Sequence, residues 1–241
     1  MFGMILSGIA ALLLIAVGVH AVGKRRTAAN GILLSAAVLL AGIEIFDQLS
    51  LQAYADFAMF RQLSLFLESL LPVAFMLLSL FFGRSRPFGA LSTTRLGFVA
   101  ASALFPIILF VIAGDNFSYS PDFQSERVLF LGNEGYLYYL GIMVSFIVSL
   151  VNVEATLAAT RGRDRYRMKF EAFAIMSLLA VLIFYYSQGL LYRTINMNLV
   201  PVRSSVLVIA ALLIGYSQAF RGSGARVLVS RHIFYRSITL L

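Results

Sequence analysis

Seven long apolar stretches, each followed by a short polar break, constrain the fold of this chain more than any other feature of its sequence. The stretches cover about residues 2–22, 28–50, 60–83, 95–114, 136–159, 170–192 and 204–220. Each has roughly the 17–25 residues that an α-helix needs to cross a bilayer. Because backbone groups in lipid must be paired internally, the pattern predicts an all-α, polytopic transmembrane helix bundle with seven complete spans.

The composition indicates a lipid environment as well. Hydrophobic residues make up 60% of the 241 residues and charged residues only 12%, about half the charged fraction of a typical soluble domain. The net charge of +8 is therefore interpreted as one basic membrane face, with the lipid bilayer as partner and no nucleic acid. Cysteine is absent, and His20 and His232 are isolated, so we predict no catalytic, metal or cofactor site in this chain.

Lysine and arginine collect in alternate connections between the spans. One side carries 15 of the 19 basic residues, and such an excess predicts that this side is cytoplasmic. The other side has only Arg61, Arg127, Arg193 and Arg203, together with the acidic residues Asp47, Asp56, Asp115, Asp122, Glu126 and Glu134. We therefore predict a multi-pass membrane protein with its N-terminus outside. No basic leader precedes the first apolar run, which is interpreted as a span rather than a signal peptide.

The last twelve residues, "SRHIFYRSITLL", begin with a basic membrane-edge pattern and then become apolar. Only ten residues follow Arg231, which is about 15 Å of helix where a span needs about 30 Å. We predict a truncated eighth helix that starts near His232, in a chain that continues beyond Leu241.

Five cations within nine residues form the basic tract: Arg161, Arg163, Arg165, Arg167 and Lys169. Its position between two spans favours a role as a topology anchor. The alternative is a contact surface for anionic lipid headgroups, with each cation contributing about 1 kcal/mol.

Acidic residues within the spans are expensive to bury in lipid and are therefore informative. Glu68 lies about eight residues into the third stretch, one turn before Pro72, and Glu44 lies near the outer end of the second, with Asp47 on a similar face. Glu44 and Glu68 are candidates for a sensing or ion-linked role. Alternatively they bond to Ser, Gln or Arg on neighbouring helices, or Glu44 is close enough to the surface to be hydrated.

Other polar residues lie nearer the ends of the spans. Glu154 and Glu171 flank the basic tract; Glu154 is a further candidate sensing residue, and ion pairs with the tract are the simpler interpretation for both. The segment "FYYSQGLLYR", 184–193, places tyrosines and Gln188 near the outer edge. Such tyrosines usually form an interfacial belt; the alternative for this segment is a ligand pocket, and Gln188 is a candidate sensing or buried polar residue.

Enzyme motifs are missing: the sequence has no Gly-rich phosphate loop, no HExxH and no nucleophile elbow. The alternative function is a standalone multipass transporter or channel subunit, which Glu44 and Glu68 within the spans would support. Internal repeats, which are typical of transporters, are not evident in the sequence. An integral-membrane enzyme acting on lipid is disfavoured by the missing motifs.

The segment "LVNVEATLAATRGRDRYRMKFEAFAIMSLLAVLIFYYSQGLLYR" resembles the N-terminal membrane region of the PEP-CTERM-system sensor histidine kinases, the PrsK group. The similar elements are the helix end at Asn152, Val153 and Glu154, the basic loop, and the next helix start at Lys169 and Phe170. "LGNEGY" (131–136) and the closing "VLVSRHIFYRSITLL" are similar too, so the resemblance covers mainly residues 128–241.

This resemblance implies that residues 1–241 are the multipass membrane sensor domain of a two-component histidine kinase, located in the bacterial inner (cytoplasmic) membrane. Such a kinase would regulate envelope or exopolysaccharide functions and would form a homodimer. A GAF-type module, a phosphoacceptor domain and a catalytic domain using ATP and Mg²⁺ would follow this chain. A response regulator would be a partner only through that missing kinase region.

Overall fold

The computed structural model describes residues 2–24, 27–52, 57–82, 93–120, 123–160 and 162–222. Its helices are α1 (Phe2–Lys24), α2 (Ala28–Gln52), α3 (Phe57–Phe81), α4 (Thr93–Ala113), the short α5 (Phe123–Glu126), α6 (Asn133–Ala159), α7 (Gly162–Tyr192) and α8 (Val200–Gly222). Seven of them are long and apolar enough to cross a membrane. The predicted all-α, polytopic bundle with seven complete spans is thus confirmed. The predicted eighth helix near His232 lies outside the described residues.

Six of the long helices form a closed ring in the part of the chain that the structure describes. Around the ring, α1 packs on α2, α2 on α3, α3 on α6, α6 on α7, α7 on α8, and α8 returns to α1. The remaining long helix, α4, packs on the outside against α3 and α6. In the most apolar part of α3, 67% of the residues are buried, against 11% in α4, so α3 is a central helix and α4 a peripheral one.

Large apolar side chains cover the outward faces of the bundle. Leu12, Val111, Ile112 and Leu191 are each more than 70% exposed. In water such a surface would aggregate, but it matches hydrocarbon chains. The exposed apolar faces therefore fit a bundle surrounded by lipid.

A small three-stranded antiparallel sheet covers one end of the bundle. Its strands are β1 (Ser118–Tyr119), β2 (Val128–Leu131) and β3 (Thr194–Asn196), in the order β1-β2-β3. Leu129 and Ile195 are paired and point their side chains into the bundle, where both are buried. The connection between α4 and α6 thus shares a sheet with the connection between α7 and α8. We call this end of the bundle the sheet end.

The two ends of the bundle interior differ in polarity. Away from the sheet end, apolar residues of α1, α2, α3, α7 and α8 surround a cavity of about 20 Å³, with Leu40, Phe75 and Ile214 among its lining residues. Such a volume holds about one water molecule at most, and an apolar lining gives water no hydrogen-bond partner. Among the described residues, the buried charged side chains of Glu44, Asp47, Arg61, Glu68 and Arg203 lie toward the sheet end, and that of Glu171 lies at the opposite end.

Candidate functional site: a buried polar network

Charged and hydroxyl side chains from five helices meet inside the bundle near the sheet end. We call this group the polar network; its members are Ser7 of α1, Glu44 and Asp47 of α2, Arg61, Ser64 and Glu68 of α3, Tyr139 of α6, and Arg203 and Ser204 of α8. Every member is buried, and none is more than 4% exposed. Hydrogen bonds connect all nine residues into one continuous group.

Arg203 joins α8 to α2 through two carboxylates. Its Nε donates to Oε1 of Glu44 at 2.6 Å, and its Nη2 donates to Oδ2 of Asp47 at 2.7 Å. Glu44 and Asp47 are three residues apart and therefore lie on one face of α2. A single guanidinium with its rigid fork of donors can thus bind both carboxylates at once.

Asp47 also connects α2 to α3. Its Oδ1 accepts from Nη1 of Arg61 at 2.9 Å and from the hydroxyl of Ser64 at 2.6 Å. The two α3 residues lie three apart, so they present their donors on the same face. Asp47 consequently lies between two arginines, Arg61 on α3 and Arg203 on α8.

Glu68 lies deeper and has weaker contacts than the other two carboxylates. Nη1 of Arg61 is 3.4 Å from its Oε1, and the Tyr139 hydroxyl donates to its Oε2 at 2.9 Å. The same hydroxyl accepts from Nη2 of Arg61 at 2.6 Å. Tyr139 therefore links the α3 arginine to the α3 glutamate from the neighbouring helix α6.

Hydroxyl groups extend the polar network to α1. Ser204 donates to Oε2 of Glu44 at 2.5 Å, and its oxygen lies 2.9 Å from that of Ser7. Ser7 thereby adds the first helix to the group.

Aromatic rings of α6 and α7 form one wall of the site. Tyr139 and Tyr186 stack with 5.1 Å between their ring centroids. The guanidinium carbon of Arg203 lies 5.2 Å from the ring centroid of Tyr185, a distance at which a cation is attracted to the ring face. The wall therefore contributes a favourable ring contact to the buried charge of Arg203 and, through Tyr139, a hydroxyl group to the network.

The structure places Arg61 and Arg203 inside the bundle, whereas the sequence predicted that they lie at the outer surface. The sequence counts both among the basic residues of the outer side, yet they are 4% and 2% exposed and are bound to carboxylates inside the bundle. They lie only about 5–6 Å inside the helix starts. Their position on the inward face, rather than their depth, removes them from the surface.

The structure brings Glu44 and Glu68 together in one network, as the hydrogen-bonded alternative for these residues predicted. Glu44 is 0% exposed, so the alternative that it is hydrated near the surface is wrong. By helix rise, Glu44 lies about 12 Å and Glu68 about 17 Å inside the helix ends at the sheet end. Sequence reasoning named these two carboxylates but missed the role of their partners Arg61 and Arg203.

The tyrosines of the 184–193 segment divide into two groups. Tyr185 and Tyr186 are buried in the core, because they face α6 and α8 on the inner side of α7; the prediction of an interfacial belt is wrong for them. Tyr192 is 66% exposed, as a belt residue would be. Gln188 is half-buried and is not a member of the polar network.

The other predicted site residues lie at the opposite end of the bundle. Glu154 is exposed, because it occupies an outward position of α6, and it is not a member of the polar network. Lys169 is exposed and lies 5.6 Å from the ring centroid of Phe173. The side chains of Arg161, Arg163, Arg165 and Arg167 lie outside the described residues, so the lipid contact predicted for the basic tract stays a prediction.

The network offers ion pairs and hydrogen bonds rather than a metal centre. Within the described ranges, no group of three or more His, Cys, Asp or Glu side chains is arranged to hold a metal ion. The carboxylate oxygens of Glu44 and Asp47 are instead occupied by guanidinium and hydroxyl donors.

No protein-family model, curated protein or solved structure matches this chain. The fold and the site nevertheless define a class of molecule: a multi-pass helical bundle of membrane-spanning length with a fully buried network of arginines and carboxylates.

Replacing Tyr139 with phenylalanine tests the link between α3 and α6. The variant leaves Nη2 of Arg61 and Oε2 of Glu68 without their shared partner, and an unsatisfied buried group costs about 1–3 kcal/mol. We expect the free energy of unfolding in detergent to fall by that amount. Tyr192→Phe, at an exposed tyrosine of α7, is the matched control and should change it by less than about 0.5 kcal/mol. Equal stability of both variants would contradict the assigned hydrogen bonds.

Proposed function

We propose that residues 1–241 form the membrane-embedded sensory domain of a bacterial two-component histidine kinase that regulates envelope or exopolysaccharide functions. The observation that carries this proposal is the polar network. It joins five helices near one end of the bundle and includes two residues of α8, the helix that leads toward the C-terminal part of the chain.

The position of α8 supports transmission rather than passive anchoring. Arg203 and Ser204 lie in its first turns, and the helix runs on without a break to Gly222, about 28 Å further along its axis. A change in the partners of Arg203 would therefore act on a helix that reaches the opposite end of the bundle. Discrete rearrangements of packed helices are the usual way in which such a change becomes a signal.

The proposed orientation places the sheet end outside the cell and the basic end in the cytoplasm, as the distribution of lysine and arginine predicts. A stimulus would then reach the polar network from outside, and kinase domains would follow on the cytoplasmic side. ATP and Mg²⁺ would be bound by those domains and a response regulator phosphorylated by them. The chain would act as a homodimer, as in the resembling sensor kinases.

The first test is the reading frame downstream of codon 241. The proposal expects an in-frame phosphoacceptor domain and an ATP-binding kinase domain. A stop codon directly after Leu241, or a continuation without a kinase domain, would overturn it.

The second test uses two neighbouring serines in the full-length protein reconstituted in lipid. Ser204 and Ser205 both donate to the carbonyl four residues earlier, but only Ser204 also contacts Glu44. We expect Ser204→Ala to change the autophosphorylation rate about fivefold or more, in line with typical coupling energies of 1–3 kcal/mol. Ser205→Ala is the control and should match the wild-type rate. Identical rates for both variants would argue against coupling through the network.

A standalone transporter or channel subunit is the second candidate, and the presence of Glu68 deep among the spans favours it. Carboxylates at such depth often mark ion or proton pathways. This function predicts flux in proteoliposomes that disappears in Glu68→Gln. The described helices are continuous, including α3 through Pro72, whereas transporter sites are typically built from broken helices. Absence of flux under any imposed gradient would exclude this candidate.

A further inference from the structure

The charges of the polar network do not balance. It contains three carboxyl groups, on Glu44, Asp47 and Glu68, and two guanidinium groups, on Arg61 and Arg203. With every group ionised, the network would carry a net charge of −1 inside the bundle. An uncompensated buried charge is strongly unfavourable, and such a site either binds a cation or takes up a proton.

The hydrogen bonds show which carboxyl group is least stabilised as an anion. Both oxygens of Asp47 accept charged hydrogen bonds at 2.9 Å or less, and Glu44 accepts one from Arg203 at 2.6 Å and one from Ser204 at 2.5 Å. Glu68 has only the 3.4 Å contact with Arg61 and the tyrosine hydroxyl at 2.9 Å. Charge-assisted bonds to carboxylates are normally 2.7–2.9 Å long, so Glu68 lacks a close ionic partner.

Unpaired polar atoms lie beside Glu68. The hydroxyl of Tyr186 is buried without a hydrogen-bond partner, and so is Nε of Arg61. Tyr186 is 1% exposed, stacks on Tyr139 and interacts electrostatically with Glu68. Neither atom donates a hydrogen bond to Glu68, so the 3.4 Å contact with Arg61 and the Tyr139 hydroxyl remain its hydrogen-bond donors among the described residues.

The charged and titratable groups that interact electrostatically with Glu68 lie on α2, α3, α6, α7 and α8. The charged ones are Asp47 on α2, Arg61 on α3 itself and Arg203 on α8; the titratable ones are Tyr138 and Tyr139 on α6 and Tyr185 and Tyr186 on α7. The peripheral helix α4 has one ionisable residue, Arg95, at its far end. Among the described residues no three His, Cys, Asp or Glu side chains are arranged to hold a metal cation, whereas a proton forms a covalent O–H bond and needs no shell of oxygen ligands.

We propose that Glu68 is a proton-binding site and that its carboxyl group is protonated when the polar network is in its described arrangement. With this proton bound, the net charge of the three carboxyl groups and two guanidinium groups is zero. Release of this proton leaves a carboxylate beside Arg61 that competes with Asp47 for the guanidinium. The chemistry is a reversible proton equilibrium, and the proposal does not rest on the kinase function because it concerns only the charge state of one side chain.

Infrared spectroscopy of the full chain in lipid nanodiscs tests the protonation directly. At pH 7 we expect a protonated-carboxyl C=O absorption that shifts in D₂O and disappears in Glu68→Gln. Glu154→Gln, at an exposed glutamate, should leave this absorption unchanged. Absence of any absorption at pH 7 that depends on Glu68 would overturn the proposal.

Thermal unfolding gives a second, independent result. Glutamine resembles a protonated glutamate in shape and charge, so Glu68→Gln should change Tm by less than about 2 °C. Asp47→Asn removes an anion that two arginines require and should lower Tm by more than about 6 °C. If Glu68→Gln lowers Tm as much as Asp47→Asn, or prevents folding, Glu68 is ionised and the proposal is wrong. Stabilisation by Na⁺ or K⁺ that Glu68→Gln abolishes would assign a metal cation and also overturn it.

Discussion

Replacing Arg203 with glutamine should lower the free energy of unfolding by about 3–5 kcal/mol, the range observed when one partner of a buried ion pair is removed. The substitution leaves Glu44 and Asp47 with only hydroxyl donors and Arg61 as compensation. Because all these groups are buried, solvent cannot replace the lost guanidinium. Chemical unfolding of the purified protein in detergent, followed by far-UV circular dichroism, measures the change.

Arg127→Gln is the matched control for this prediction. Arg127 also lies at the sheet end but is exposed, so its replacement should alter the free energy of unfolding by less than about 0.5 kcal/mol. Equal effects at positions 127 and 203 would mean that the buried pairs of Arg203 do not stabilise the bundle. A triple variant with Arg203, Glu44 and Asp47 all replaced by apolar residues should recover part of the loss, since an ion network can often be exchanged for hydrophobic packing.

Gly135→Ala should also lower the free energy of unfolding, in this case for a steric reason. A methyl group at this buried position in the first turn of α6 would lie 2.1 Å from the carbonyl oxygen of Phe117 and 3.2 Å from its Cα. The obstacle is backbone, so no rotamer change can make room, and α6 must separate from the segment before β1. Overpacking typically costs about 1–3 kcal/mol, occasionally more, and we expect a loss at or above the upper end, measured by the same unfolding assay.

Gly31→Ala provides the comparison for Gly135→Ala. Gly31 also lies in the first turn of a long helix, α2, but an added methyl group there has no neighbour within 4 Å. We expect no loss of stability and a gain of up to about 1 kcal/mol, because alanine favours the helix more than glycine does. A tolerated Gly135→Ala would show that α6 does not approach Phe117 as closely as described.

The sequence was sufficient to predict the helices. Apolar runs of spanning length located all seven, with starts and ends within a few residues for most; the largest shifts are α7, which begins at Gly162 rather than near 170, and α8, which begins at Val200 rather than 204. These shifts fall where charged residues interrupt the apolar run. Hydropathy reports the lipid-facing length of a helix and not where its hydrogen bonding begins.

The polar network could be predicted only in part. Glu44 and Glu68 stand out in sequence because carboxylates within a span are rare. Arg61 and Arg203 do not, because arginines near helix ends are usually interfacial and a single sequence does not show which face points inward. Their pairing with residues up to 159 positions away depends on the order of helices around the ring, which no local pattern encodes.

The sheet was missed for a related reason. β1 and β3 contain two and three residues, too few for an alternating pattern to be recognised. Their pairing with β2 joins residues 128–131 to residues 194–196. Only after α6 and α7 have packed side by side do these segments become neighbours.

The placement of Arg203 so near the start of α8 has a mechanical consequence. The first turn of this helix is held by two carboxylates, whereas its other end lies about 28 Å away. A helix held in this way behaves as a lever with its pivot at the ion pairs. A tilt of about 4° at the pivot displaces the far end by about 2 Å, on the scale of the helix shifts that carry signals between domains.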